Sequence, residues 1–225
     1  MSAILLAADS LLRSGAVAAG GAARLGSLAR MDFRTLIGLI AAFGFSYGAL
    51  MGTFGGVRGD HGIQILYSAI KVPLLLLVTF GLSLPSFYVF NTLLGVRGDL
   101  GNALKALLAA QAGMTIILLS FAPFTLLWYV SCSNYNAAIL FNSAVFGLAT
   151  LTSQRLLRRH YGPLLARDRR HRFLLRVWLV TYAFVGIQMG WLLRPFVGSP
   201  WMATYFLRRD AWGNAYEVMF RMLMR

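Results

Sequence analysis

The sequence predicts an all-α protein: a polytopic transmembrane helical bundle of five spans, with amphipathic segments at both ends. Three observations carry this. Of 225 residues, 58% are hydrophobic and only 12% charged, against roughly 25% charged in soluble domains. A soluble fold of this length could not hide so much apolar surface. Five uncharged runs then approach or exceed the length that crosses about 30 Å of hydrocarbon at 1.5 Å per residue. Finally, residues 154–176 carry eight of the nineteen arginines against one acid, Asp168. Connectors of that kind stay on the cytoplasmic side of a membrane, so this one orients the rest.

Residues 1–34 read as a cytoplasmic N-terminal segment. A secretory leader places basic residues before its apolar core, whereas the first charge here is Asp9. Leu5, Ala8 and Leu12 recur at helical spacing opposite Asp9 and Arg13, which fits a short interfacial helix, with a frayed cytoplasmic tail as the equal alternative.

The transmembrane domain covers 35–194. Its first span, 35–54, carries Gly44, Gly48 and Gly52 at every fourth position. These glycines clear one face for the close approach of another helix, within the chain rather than across a dimer. The turns GGVRGDHG (55–62) and GVRGDLG (95–101) resemble one another, with Asp60 and Asp99 as helix caps. Residues 63–95 are too long for one straight crossing, so the second span is placed at 72–94 after an interfacial lead-in at 63–71. Lys71 then sits at the rim, where its ammonium can snorkel to water. Pro85 should kink this span.

The third span, 107–130, is broken at Pro123 and closes on an interfacial pair, Trp128 and Tyr129. The fourth, 137–153, is short, and Gly162-Pro163 should stop its extension into the basic loop 154–176. The fifth, 177–193, carries a second close-packing pair, Gly186 and Gly190, with Trp178 and Trp191 as interfacial anchors. The tail, 195–225, offers a helix capped by Asp210 with a partner-docking stripe of Trp212, Tyr216, Met219 and Leu223. Alternation from the basic loop puts the N-terminus in the cytoplasm and the tail on the far side. Lysine supplies two of the twenty-one basic residues, which with the alanine and glycine content points to a bacterial, GC-rich source and so to the inner membrane.

Several function classes are disfavoured. A charge of +14 would indicate nucleic acid in a soluble chain. Here Arg155, Arg158, Arg159, Arg167, Arg169, Arg170, Arg172 and Arg176 border apolar runs, and serve as topology signal and as contacts to anionic lipid. No Asp, Glu or His falls inside a span, so residues for a proton relay, a haem or intramembrane hydrolysis are missing. His160 and His171, among arginines, read as surface residues. Cys132 is the one cysteine, too few for a disulfide or a CxxC motif. No catalytic, cofactor-binding or metal-ligating residue is assigned, and bound lipid is the only non-protein component expected. The polar groups at depth are neutral, among them Ser83, Asn91, Gln111, Thr115 and Asn142. They read as interhelical hydrogen bonds worth about 0.6 kcal/mol each, or else as the lining of a solute path.

The stretch 66–123, with YSAIKVPLLLL, LPSFYVFNTLLG and GNALKALLAAQAG, resembles the core of Yip1-type membrane proteins, as does the count of five spans with a cytoplasmic N-terminus. The chain has MDFRTLIG where that family carries an acidic-glycine-proline motif. The resemblance implies a non-enzymatic protein that binds partners and shapes or sorts membranes. The expectation is therefore a structural or accessory subunit, or an assembly factor, whose partners are lipids and other membrane subunits or further copies of itself. The alternative is an oligomeric channel or carrier for a small solute.

Overall fold

The computed structural model describes residues 3–14, 31–56, 61–194, 196–198 and 206–207. Among them lie helices α1 (Ala3–Ser14), α2 (Phe33–Gly52), α3 (His61–Leu93), α4 (Leu100–Ser120), α5 (Ala122–Ser131), α6 (Tyr135–Arg167) and α7 (Arg170–Leu192), with no strand. Five stretches, in α2, α3, α4, α6 and α7, are long and apolar enough to cross a membrane. The fold is an all-α bundle of a multi-pass membrane protein. Asp60, Asp210 and the stripe Trp212, Tyr216, Met219 and Leu223 lie outside the described residues.

α2 is the central helix. α3 packs along one side of it and α4 along another, while α6 lies on α4 and α7 on α3. The α2–α3 contact is made backbone to backbone. A Cβ on Gly48 would strike the Ser68 carbonyl oxygen, and one on Gly52 would come within 2.5 Å of Ile65 Cα. Gly44 meets Pro73 at 3.4 Å. Apolar side chains gain little by exchanging lipid tails for one another, so close approach of this kind supplies the van der Waals contact that holds helices together in a bilayer. Gly113 does the same for α4 and α6, where a Cβ would meet the end of the Leu156 side chain. Trp178 of α7 is buried against Phe80 and Phe87 of α3, each ring centroid 5.2 Å away in an edge-on arrangement. It is a core residue and not the interfacial anchor its position in the sequence indicates.

Several boundaries differ from expectation for identifiable reasons. α3 runs for 33 residues through Pro73 and Pro85 without a separate lead-in. Lys71 is fully buried instead of snorkelling, its ammonium 6.0 Å from the Tyr67 ring and 5.4 Å from the Phe206 ring. The third span divides at Phe121, because Pro123 fits the first turn of the new helix α5, where its missing N–H costs nothing.

α6 also runs for 33 residues, straight through Gly162-Pro163. A proline inside a helix costs roughly 3 kcal/mol. Tyr161 and Leu164 beside it are buried, at roughly 1.5–3 kcal/mol each, and their burial outweighs the proline. The basic stretch is thus the end of one helix and the start of the next, joined by a turn at Asp168 and Arg169. Of the two alternatives for this segment α1 is the helix, but it buries Ala8 and Leu11 while Leu5 and Leu12 are exposed.

These contacts fix a ranking. Gly48→Ala drives a methyl into backbone and should destabilise the fold by about 1–3 kcal/mol. Gly147→Ala, whose added Cβ has nothing within 4 Å, should be neutral or raise stability by up to about 1 kcal/mol. Thermal unfolding of the two variants in one detergent checks the order.

Candidate functional site

The chemistry of the described residues is concentrated at the arginine-rich end, on one carboxylate. Asp99 closes a short 3-10 turn, Arg97–Asp99, that leads into α4. It occupies the cap position of α4, yet its side chain makes no capping bond. The carboxylate turns instead to the α6–α7 connection. Its Oδ1 accepts from Arg167 Nη1 at 2.8 Å, and its Oδ2 lies 3.4 Å from His171 Nε2.

His171 is completely buried, and its Nδ1 is 3.3 Å from the Tyr161 hydroxyl. The proton positions follow from donor chemistry. A carboxylate can only accept, so in the neutral imidazole Nε2 carries the proton. Nδ1 is then the acceptor, and Tyr161 donates to it. The chain Tyr161–His171–Asp99–Arg167 ties the end of α6 and the start of α7 to the start of α4.

Two further bonds fix the turn. Asp168 Oδ1 accepts from the Arg170 backbone N–H at 2.8 Å, and Arg170 Nη1 donates to the Leu94 carbonyl at 2.8 Å. Next to it Gly95 has φ +72, a left-handed conformation that glycine adopts at no steric cost.

His160 and His171 are both buried, which corrects their reading as surface residues. The signal was present in the spacing. His171, Leu174 and Trp178 stand three and four residues apart on α7, and Leu157, His160, Tyr161 and Leu164 do so on α6. Each set is the inward stripe of a helix, obscured in the sequence by the arginines between its members.

Those arginines face the other way. Arg155, Arg158 and Arg159 on α6, Arg167 and Arg169 at the turn, and Arg170, Arg172 and Arg176 on α7 are all exposed. The result is a firmly held helical hairpin whose outer surface is arginine. Of the other glycines singled out, Gly186 meets Thr79 Cγ2 at 3.5 Å in ordinary contact, and Gly190 has nothing within 4 Å of its Cβ position.

Of the neutral polar residues at depth, Ser83 and Thr115 donate to carbonyls of their own helices, at Thr79 and Ala112, and not across helices. Near the other end of the bundle, Asn142 of α6 donates to Tyr129 of α5 at 2.7 Å and accepts from Tyr47 of α2 at 3.3 Å, a buried tie across three helices. On α3 and α4, Asn91 is buried with neither amide atom hydrogen-bonded, and Thr79 Oγ1 and Gln111 Oε1 are also without a partner.

Asp99 and Arg167 should respond very differently to truncation. The Asp99 side chain is 14% exposed and Arg167 is 72% exposed. Asp99→Ala leaves buried His171 without its acceptor and should cost about 1–3 kcal/mol. Arg167→Ala should cost at most about 1 kcal/mol. Thermal unfolding, with the rate of tryptic cleavage at Arg169 as a local probe, checks the contrast.

No protein-family model, curated protein or solved structure matches this chain.

Proposed function

We propose that the chain is a non-enzymatic integral membrane protein that serves as a structural or accessory subunit, or as an assembly factor, of a larger membrane complex. The observation that carries this reading is the arginine-faced hairpin at the ends of α6 and α7, held in one arrangement by Asp99. A rigid surface loses less freedom on binding than a mobile loop does. Each arginine near an anionic surface adds about 1 kcal/mol of attraction. Such a surface fits an acidic face of a partner subunit standing at the membrane surface.

The arginine excess supports a reading in which this end faces the cytoplasm, with the N-terminus on the same side and the tail on the far side, and the scarcity of lysine supports a bacterial inner membrane as its setting. The likeness of 66–123 to Yip1-type proteins points to partner binding as well. In this reading the glycine contacts of α2 are internal packing, and the tail stripe from Trp212 to Leu223 is a second docking element.

A second reading, a channel or carrier for a small solute, is favoured by one observation. Asn91, Thr79 and Gln111 hold buried polar atoms without partners. Such atoms are costly in an apolar interior unless a water or a polar solute satisfies them.

Gentle extraction of the tagged protein, with size estimation and mass spectrometry of its companions, separates the two. A large particle with defined companions is expected, and the triple variant Arg155→Glu, Arg158→Glu, Arg172→Glu should shed them while unfolding at an unchanged temperature. A homogeneous particle of this chain alone, or companions indifferent to the triple variant, would sink the subunit reading. In the channel reading, liposome flux should disappear in the double variant Asn91→Leu, Gln111→Leu.

A further inference from the structure

α6 and α7 touch beside their shared turn, where Tyr161 meets His171. At the opposite end of the bundle a cavity of about 470 Å³ lies between them, floored by Met51 and Leu75. That is within the roughly 300–1,000 Å³ typical of ligand pockets. Its lining is graded along the helices. On α6 it runs from Tyr135 through Ile139 to Phe146, and on the α7 side from Arg194 through Trp191 to Ile187. The one charged group, Arg194, sits just past the end of α7, with Phe196 and Val197 close by in sequence, and Ser143 is a further polar group along α6. The deeper part is largely apolar, and its buried amide, Asn142, already bonds to Tyr47 and Tyr129.

Size decides what can enter. From Tyr135 to Phe146 is eleven residues, about 16 Å of helix, which matches one leaflet's share of about 30 Å of hydrocarbon. A volume of about 470 Å³ drawn out over about 16 Å makes a slot narrower than the about 10–12 Å that a helix with its side chains needs. One hydrocarbon chain fits and a partner helix does not. Ile139 and Ile187 of the lining are themselves exposed, beside exposed Leu140, so the way in is lateral, from the lipid.

Charge decides the head group. Arg194 is exposed, stands with its guanidinium 5.2 Å over the Trp191 ring and lines the cavity together with Tyr135. A guanidinium held in this way presents a donor fork that suits phosphate.

We infer that this cavity seats an anionic phospholipid from the leaflet at that end, with one acyl chain between α6 and α7 and the phosphate on Arg194. The site is independent of the hairpin at the other end and of the docking role proposed for it.

Native mass spectrometry of the full-length protein, washed in mild detergent and titrated with phosphatidylglycerol or phosphatidylethanolamine of equal chain length, tests this. One phosphatidylglycerol per chain should be retained in preference to phosphatidylethanolamine. Arg194→Glu, on an exposed position, should weaken that retention about tenfold or more by replacing an attraction with a repulsion. Gly190→Phe, which grows into open space, should abolish retention of both lipids with no loss of thermal stability. Equal retention of the two lipids would overturn the proposal, as would wild-type retention by either variant. A photo-reactive group placed at residue 190 that reacts with residues 199–225 in place of added lipid would overturn it too.

Discussion

The bundle depends on one constraint: two helices must lie against each other with almost nothing between their backbones. α2 and α3 meet along Gly44, Gly48 and Gly52, and the partner surface is main chain at Ser68, Ala69 and Ile65, with Pro73 at its inner end. In water a poorer fit could be offset by hydrophobic burial. In a bilayer that compensation is weak, because lipid tails are as apolar as the side chains they replace. The remaining helices are added outward from this pair. α4 covers a second face of α2, α6 reaches α4 through Gly113, and α7 reaches α3 through Trp178. Each added helix uses either a missing side chain or a large ring, and both give contact that lipid cannot match.

A different force shapes the arginine-rich end. Many cations on two adjoining helices repel one another, and the structure answers with Asp99, partly shielded from solvent and shared by Arg167 and His171. The carboxylate is contributed by the start of α4, so it joins the hairpin to the bundle instead of neutralising the hairpin from within. The arginines stay outward and hydrated while the turn they belong to is fixed. Order at the turn and charge at the surface are therefore produced by the same few residues.

Much of this architecture was legible in the sequence, because composition and length dominate it. Five uncharged runs can do little but cross a membrane, and Gly44, Gly48 and Gly52 mark a close contact, whereas the same spacing at Gly186 and Gly190 does not. What was not legible depends on helical phase. His171 looks like a surface residue when read among its arginine neighbours, and becomes an interior residue once Leu174 and Trp178 define the inward stripe. Pro163 looks like a terminator until the burial of Tyr161 and Leu164 is weighed against it. Lys71 looks like a rim residue because apolar runs are measured from the nearest charge, whereas α3 continues past it and folds it inside. Asp99 has the position of a cap and a different job, since the residues it serves lie far along the chain. Local pattern reports what a segment is made of, and only tertiary placement reports which side of it is used.

The packing of α7 on α3 has a consequence for how the chain is made. Helices that are neighbours in the sequence can pair as they leave the ribosome, and α2 and α3 do so. α7 is the last of the described helices to appear, and its seat on α3, the face bearing Phe80 and Phe87, stands ready through the synthesis of α4, α5 and α6. For that interval the face has only lipid or a membrane-embedded chaperone to cover it. Release of a finished bundle must wait for Trp178, so a chain cut short before α7 would carry a vacant aromatic seat, a feature by which a quality-control protease could tell it from the complete protein.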